Sequence, residues 1–349
     1  FSDYARNWAT NKIIIDSNGL NYQSRADTWT VEYSTDGLSL AITYMDATQG
    51  WIPTTDDDVT DAPYKGNSEG IFGYGAPYTA VTNLVSNAGV VATDVTGVGT
   101  TRQSLAACEY GGDKGIFGFG WPSGGPAADV TNLVSNAGVV ATDTAGVGTG
   151  RTGIMACSYG EDKGIFGFGS TGTRVSTTNL VSNAGVVSSD VTGVGTGRDA
   201  GAATQYGGDK GIFGYGYATG DVSMTNLVSN SGVVSADVTG VGTARSETTA
   251  CSYGYDKGIF GFWGAVSTTN LVSNTGVVST DVTGVGTGRY KNAGTQYDYD
   301  KGIFGFGYIT SITSYVSITN LVSNTGVVAS DQAATTGTGR GALAACSFN

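Results

Sequence analysis

From Gly70 to its last residue the chain repeats itself. The unit reads A-A-C-S-Y-G-x-D-K-G-I-F-G-F-G, then a variable stretch, then T-N-L-V-S-N-x-G-V-V-x-x-D-V-T-G-V-G-T-G-R. Its Gly-Ile-Phe core begins at Gly70, Gly115, Gly164, Gly211, Gly258 and Gly302, in steps of 45, 49, 47, 47 and 44. The first copy enters at Gly70 without the A-A-C-S-Y-G strand, and the last ends on that strand, Ala344-Ala345-Cys346-Ser347-Phe348. Two incomplete copies that complement each other predict a closed ring, with the end of the chain filling the gap at its start.

A period in the forties matches a four-stranded propeller blade; β-helix coils are shorter, and helical repeats need a helical pattern that is missing here. The unit is instead dense in Gly, Val, Thr and aromatics, which are strand and turn residues. In the second copy the pattern predicts strand A over 105–110, strand B over 116–120, strand C over 130–135 and strand D over 138–142. Gly112-Asp113-Lys114-Gly115 and Asn136-Ala137-Gly138 supply the turns. Because side chains alternate along a strand, Phe117 and Phe119 are expected on one face and Ile116, Gly118 and Gly120 on the other. The aromatic pair recurs at Phe72/Tyr74, Phe166/Phe168, Phe213/Tyr215, Phe260/Phe262 and Phe304/Phe306. Such a ridge would fit a neighbour's glycine trough and bury two rings at each junction. The expected fold is all-β: a six-bladed β-propeller over 63–349, closed by the C-terminal strand, after a small β-module over 1–62. In strand order, in the aromatic-glycine strand B and in its single Arg per unit, the repeat region resembles Kelch-type propellers.

The N-terminal segment does not share the repeat. Strand-like runs fall at 12–15, 29–33 and 38–44, and Ser34-Thr35-Asp36-Gly37 is expected to join the last two as a hairpin. Residues 54–63 read as a polar, acidic linker; Asp56-Asp57-Asp58 and Asp61 lack the alternating ligand spacing of a calcium loop. The stretches I-I-I-D-S-N-G-L-N and W-T-V-E-Y-S-T-D-G-L-S-L-A-I-T-Y-M-D-A-T-Q-G-W resemble a short β-module of tailed-bacteriophage tail-fibre and other virion structural proteins. That resemblance implies a location on the virion surface. It also implies other virion proteins as partners, and further copies of the chain in a homo-oligomer such as a trimer.

Chemistry is narrowed by what the sequence lacks. There is no histidine, which removes Ser-His-Asp and Cys-His nucleophilic systems and His-ligated metals. The formal charge of −12 leaves no basic stripe for phosphates, so no nucleic-acid partner is expected. No window approaches 18 apolar residues, so no membrane insertion by a helix is expected. Cys108, Cys157, Cys251 and Cys346 share one repeat position with Thr204 and Thr295, which reads as a small buried side chain. Each unit has one Arg (Arg102, Arg151, Arg198, Arg245, Arg289, Arg340) and one Asp after strand D (Asp94, Asp143, Asp190, Asp237, Asp281, Asp331). These sets are expected to form structural inter-blade salt bridges.

No catalytic residue, metal or cofactor is assigned, and the chain is expected not to be an enzyme. The copies differ mainly in the B–C loops and the residues after each Arg. In a four-stranded meander both emerge at one end, as in repeat proteins that bind through loop insertions. That end carries Tyr78, Trp121, Tyr217, Trp263, Tyr308 and Tyr315, the candidate ligand-binding residues. Rings beside Ser, Thr, Asn and Asp suit sugars; with the virion location that the tail-fibre resemblance implies, the expected function is a virion fibre or appendage binding a host-surface glycan or protein. The competing readings are a capsid or tail decoration protein without receptor binding, and a glycan-degrading enzyme.

Overall fold

The computed structural model describes residues 1–25, 30–55, 66–333 and 337–349. The chain is all-β, built from many small antiparallel sheets with no closed barrel. It divides into two compact units, Phe1–Lys65 and Gly66–Asn349.

In the first unit Ile13–Ile15 pairs with Val31–Tyr33, and Ala41–Tyr44 pairs with Trp51–Thr55. The expected hairpin between residues 29–33 and 38–44 does not form. Its turn is captured elsewhere: the Asp3 carboxylate accepts the N–H of Gly37 at 2.9 Å, and Leu40 donates to the carbonyl of Phe1 at 3.0 Å. The hairpin forms one step later, around Asp46, whose carboxylate accepts the N–H groups of Thr48 and Gln49. Gly50 closes that turn at φ +69°, and a Cβ there would lie 1.8 Å from the Asn21 carbonyl oxygen, so no other residue fits. The small core is Tyr22, Tyr33 and Leu40, with the two tyrosine hydroxyls hydrogen-bonded to each other. Residue 29 of the second expected strand lies outside the described residues, as does the acidic run from Asp56 to Asp61.

Among the described residues the second unit contains six three-stranded sheets, numbered here in chain order. Sheet 1 joins Glu69–Gly75 and Thr79–Val85 to the chain's last strand, Ala344–Phe348. Sheet 2 is Ala106–Tyr110, Lys114–Gly118 and Thr131–Val134. Sheets 3 to 6 repeat this order, with first strands Met155–Tyr159, Ala202–Tyr206, Thr249–Tyr253 and Ala293–Tyr297. Each first strand packs beside those of the sheets before and after it, and Ala344–Phe348 packs against both Ala293–Tyr297 and Ala106–Tyr110. The antiparallel register Cys346↔Ile71 repeats the Cys108↔Ile116 pairing of sheet 2. The terminal strand therefore occupies the position that the sequence pattern predicts for it.

Strand D does not form a ladder. In sheet 2 the segment makes two isolated bridges to strand C, Val134↔Val140 and Thr131↔Thr144, with the Ala141 N–H bonded to the Leu133 carbonyl between them, and the other five sheets repeat the two bridges. A side chain is the cause. Asn132 of strand C turns its amide onto the Ala141 carbonyl at 3.1 Å, taking an acceptor that a fourth strand would have used. Asn83, Asn179, Asn226, Asn270 and Asn320 do the same in their sheets.

Two sets of backbone hydrogen bonds run around the sheets. At the A–B turns, Gly111 donates to Asp162, Gly160 to Asp209, Gly207 to Asp256, and Gly254 to Asp300, each at 2.7 Å. Asn349 continues the series to Asp113, and Asp298 donates to Ser68, itself bonded to Asn349. At the opposite end, Gly153 donates to Ser104, Ala200 to Gly153, Glu247 to Ala200, Lys291 to Glu247, Ala342 to Lys291, and Ser104 to Ala342. That series is a complete cycle of six bonds. All six of its residues are left-handed, with φ between 51° and 60°, although only Gly153 is a glycine.

Candidate functional site

Each sheet junction is built from one aromatic of each neighbour. The two rings of strand B do not share a face. Phe117 packs on Tyr74 of sheet 1 at 5.2 Å, whereas Phe119 packs on Phe166 of sheet 3 at 5.1 Å. Ladder pairing ends at Gly118, and Phe119 takes φ +63°, which turns its side chain to the other side. Tyr74, Phe168, Tyr215, Phe262 and Phe306 are left-handed in the same way. The glycine trough is real but holds a single ring. A Cβ on Gly118 would lie 2.7 Å from the Phe166 ring, and one on Gly305 would lie 2.8 Å from Phe72 of sheet 1. Two rings per junction are buried, as expected, but one comes from each side.

The cysteines fill a parallel niche. The Cys108 sulfur lies over Gly164 of the next sheet, with only 2.5 Å to spare for a Cβ, and the Thr204 methyl lies the same way over Gly258. All four thiols are free and buried, and burial pushes each pKa up, so they are poor nucleophiles.

The six arginines are almost wholly buried. Arg198 places its guanidinium 4.1 Å over the Phe168 ring of sheet 3, while Nε donates to the Tyr215 carbonyl at 2.8 Å and a terminal nitrogen to Asn226 Oδ1 at 2.7 Å. It thereby ties sheet 3 to sheet 4. Arg340 performs the same task across the chain ends, 4.3 Å over Phe306 and bonded to Tyr74 and Asn83 of sheet 1. Arg102, Arg151, Arg245 and Arg289 also lie over the preceding sheet's ring. Burial pulls the pKa of Arg151, Arg198, Arg289 and Arg340 down to about 10, which leaves them charged at neutral pH.

The expected Arg–Asp contact is looser than the pattern suggested. Arg198–Asp237, Arg245–Asp281 and Arg340–Asp94 approach to 3.9, 3.7 and 3.8 Å. The aspartates instead clamp the connector: Asp237 accepts the N–H and hydroxyl of Thr196 and the amide of Asn226. Thr338–Asp94 is the equivalent clamp at the chain ends. Asn is therefore the direct partner of both Arg and Asp in five of the six sheets, Arg289 and Asn320 being the exception, a role that the Arg–Asp pattern did not reveal. The available signal was Asn itself, a poor strand former retained in every T-N-L-V strand.

Burial raises the pKa of these six carboxyls, but hydrogen bonds from Thr and Asn and the nearby Arg charge outweigh it, and all six lie below the usual 3.8. A carboxylate depressed by folding stabilises the fold above its unfolded pKa and loses that contribution as pH falls through the folded value. With no histidine to titrate, the melting temperature should stay level from about pH 6 to 8 and fall progressively below about pH 5. Thermal melts across that range check this, and Asp237→Asn should make the acid limb shallower.

The connectors and B–C loops do emerge together. Arg102–Gln103 pairs with Trp121–Pro122, and bridges join Thr152 to Ser170, Asp199 to Tyr217, Tyr290 to Tyr308 and Gly341 to Ala76. The candidate rings at this end differ in their surroundings. Trp121 is 46% exposed, with its indole N–H on the Gly125 carbonyl at 2.9 Å. Tyr217 is 37% exposed and lies under the Arg174 guanidinium at 4.4 Å, which in turn pairs with Asp199. Tyr308 and Tyr315 pack edge-on at 5.2 Å, and they, Tyr78 and Trp263 are half-buried. Of the six candidates only Trp121 and Tyr217 are more than a third exposed, and Arg174 covers one face of Tyr217.

Inside the six first strands lies a stack of cavities, each bounded by residues of all six sheets. At the connector end a space of about 100 Å³ is bounded by Leu105, Ile154 and Leu343 on one side and by Thr248 and Asn292 on the other. The stack continues past Ala107, Ala156, Ala203, Ala250, Gly294 and Ala345. At the far end Glu109 accepts hydrogen bonds from Ser158 and Ser347. Among the described residues, no group of three or more Cys, Asp or Glu side chains is placed to hold a metal ion. No protein-family model matches the chain, and no curated protein matches it.

Proposed function

We propose that residues 66–349 form a six-bladed β-propeller sealed by the C-terminal strand. We further propose that the chain is a non-enzymatic virion surface protein, a fibre or appendage, that binds a host-surface glycan or protein at its connector end. The ring reading is supported by the repeated junction between sheets 6 and 1 and by the closed cycle of hydrogen bonds through Ser104 and Ala342. The observation that carries the binding reading is the pairing of connectors with B–C loops, which gathers the variable segments at one end beside the partly exposed Trp121 and Tyr217. The virion assignment rests on the resemblance of residues 13–21 and 29–51 to tail-fibre modules.

The test is binding of the full chain to a glycan array and to candidate host cells. Replacing both Trp121 and Tyr217 by Ala should weaken binding about tenfold or more, since a stacked ring contributes roughly 1–2 kcal/mol. Undiminished binding by that double variant would remove the rings from the site. Density at a capsid or tail joint with the connector end covered would instead indicate an assembly protein.

A further inference from the structure

Residues 66–349 contain one arginine beyond the six buried ones: Arg174, in the B–C loop of sheet 3. That loop is a tight hairpin, in which Thr171 donates to the Thr173 carbonyl at 3.0 Å and Val175 to the Gly169 carbonyl at 2.9 Å. From it the Arg174 side chain reaches across to the neighbouring connector and loop. Its Nε donates to Asp199 Oδ1 at 2.9 Å, and its guanidinium lies 4.4 Å from the centroid of the Tyr217 ring. Asp199 and Tyr217 are themselves tied by two backbone hydrogen bonds, of 3.1 and 2.8 Å. Among the described residues neither terminal nitrogen of Arg174 has a hydrogen-bond partner, and its side chain is 40% exposed. Arg198 is the contrast: it is buried, and all three of its guanidinium nitrogens are bonded within the protein. The set is also built only once. Where sheet 4 has Asp199 after its structural Arg, the other sheets have Gln103, Thr152, Ser246, Tyr290 and Gly341. A device that served the ring alone would recur with the repeat.

We propose that Arg174 binds the carboxylate of an acidic sugar, a uronic or sialic acid, at the connector end. This names the ligand class of the receptor-binding reading above and rests on it. The two terminal nitrogens of a guanidinium lie side by side in one plane and match the two oxygens of a carboxylate. Asp199 on Nε and the Tyr217 ring already hold the group in place, so little freedom is lost when a ligand pairs with it. Arg174 and Asp199 together carry no net charge, and the whole chain carries −12. A singly charged carboxylate is therefore less opposed than a dianionic phosphate. Thr171 and Thr173, both exposed on the same hairpin, offer hydroxyls to the rest of the sugar.

On a glycan array the full chain should favour glycans that end in uronic or sialic acids. Reducing the sugar carboxyl to an alcohol should weaken binding about tenfold or more, because a charge-assisted pair of hydrogen bonds is lost. Arg174→Gln should erase the difference between acid and alcohol. Arg174→Lys should restore only part of it, since a point charge lacks the fork that meets both oxygens. Both variants should melt within about 2 °C of the wild-type chain, because the side chain is exposed. The readout is the acid-to-alcohol ratio, which loosening of the loop alone would not move. Equal binding of acid and alcohol would overturn the assignment, as would an unchanged ratio in Arg174→Gln. So would tighter binding of the matching sulfate esters, which would make the ligand a different anion. If array binding persists without preference for the acid, the Arg174 assignment falls and the receptor reading stands. If the chain binds no glycan and no host cell, the receptor reading itself has failed.

Discussion

Removal of residues 342–349 is expected to abolish cooperative folding of the repeat unit rather than to weaken it slightly. The deletion strips the first strand from sheet 1, unseals Ile71 and Phe72, and breaks the connector-end cycle at Ala342. It also removes Phe348, Cys346, Ala344 and Leu343 from the packed junctions on either side. Native domains are stable by only about 5–15 kcal/mol in total, and several buried side chains lost together exceed that margin. Circular dichroism melts should show no cooperative transition. A synthetic 342–349 peptide added in trans should restore one, because every other strand of sheet 1 is still present. A truncated protein that melts like the full chain would mean that the terminal strand is ornamental.

The second large effect is expected at the buried arginines. Arg198→Met removes the donors to the Tyr215 carbonyl and to Asn226, and the cation over the Phe168 ring. Each buried acceptor left unpaired costs about 1–3 kcal/mol, and a desolvated cation–π contact adds about 2. The loss should be about 4–8 kcal/mol, a fall in melting temperature of roughly 8–30 °C. Arg198→Lys should rescue little, since one ammonium cannot reach both acceptors and also lie flat on the ring. Differential scanning calorimetry of the two variants checks both statements. If Lys restores wild-type stability, charge alone matters and the fork geometry does not.

How much of this was legible in the sequence depends on whether a feature leaves a local signature. Strands A, B and C did, through period, glycine turns and alternation, and the complementary incomplete copies located the terminal strand. The Phe119 orientation did not, because alternation holds only while the backbone stays extended, and nothing in F-G-F-G announces a left-handed phenylalanine. The connector-end cycle was invisible for the same reason: Ser104, Ala200, Glu247, Lys291 and Ala342 are not residues that signal positive φ. Strand D was misjudged because V-V-x-x-D has strand composition, while its carbonyl partner is the side chain of an Asn nine residues earlier in strand C. In the first unit, S-T-D-G and D-A-T-Q-G are both credible turns, and only the capture of Gly37 by Asp3 decides between them. The candidate rings were found by loop position, but exposure, which separates Trp121 and Tyr217 from the other four, follows from packing.

Hydrogen–deuterium exchange of the C-terminal segment tests the central claim most directly. If Ala344–Phe348 is laddered to Ile71 and its neighbours, its amides should exchange as slowly as those of Ala106–Tyr110, its counterpart in sheet 2. Exchange within seconds, as at a frayed chain end, would contradict the closed ring and every inference drawn from it.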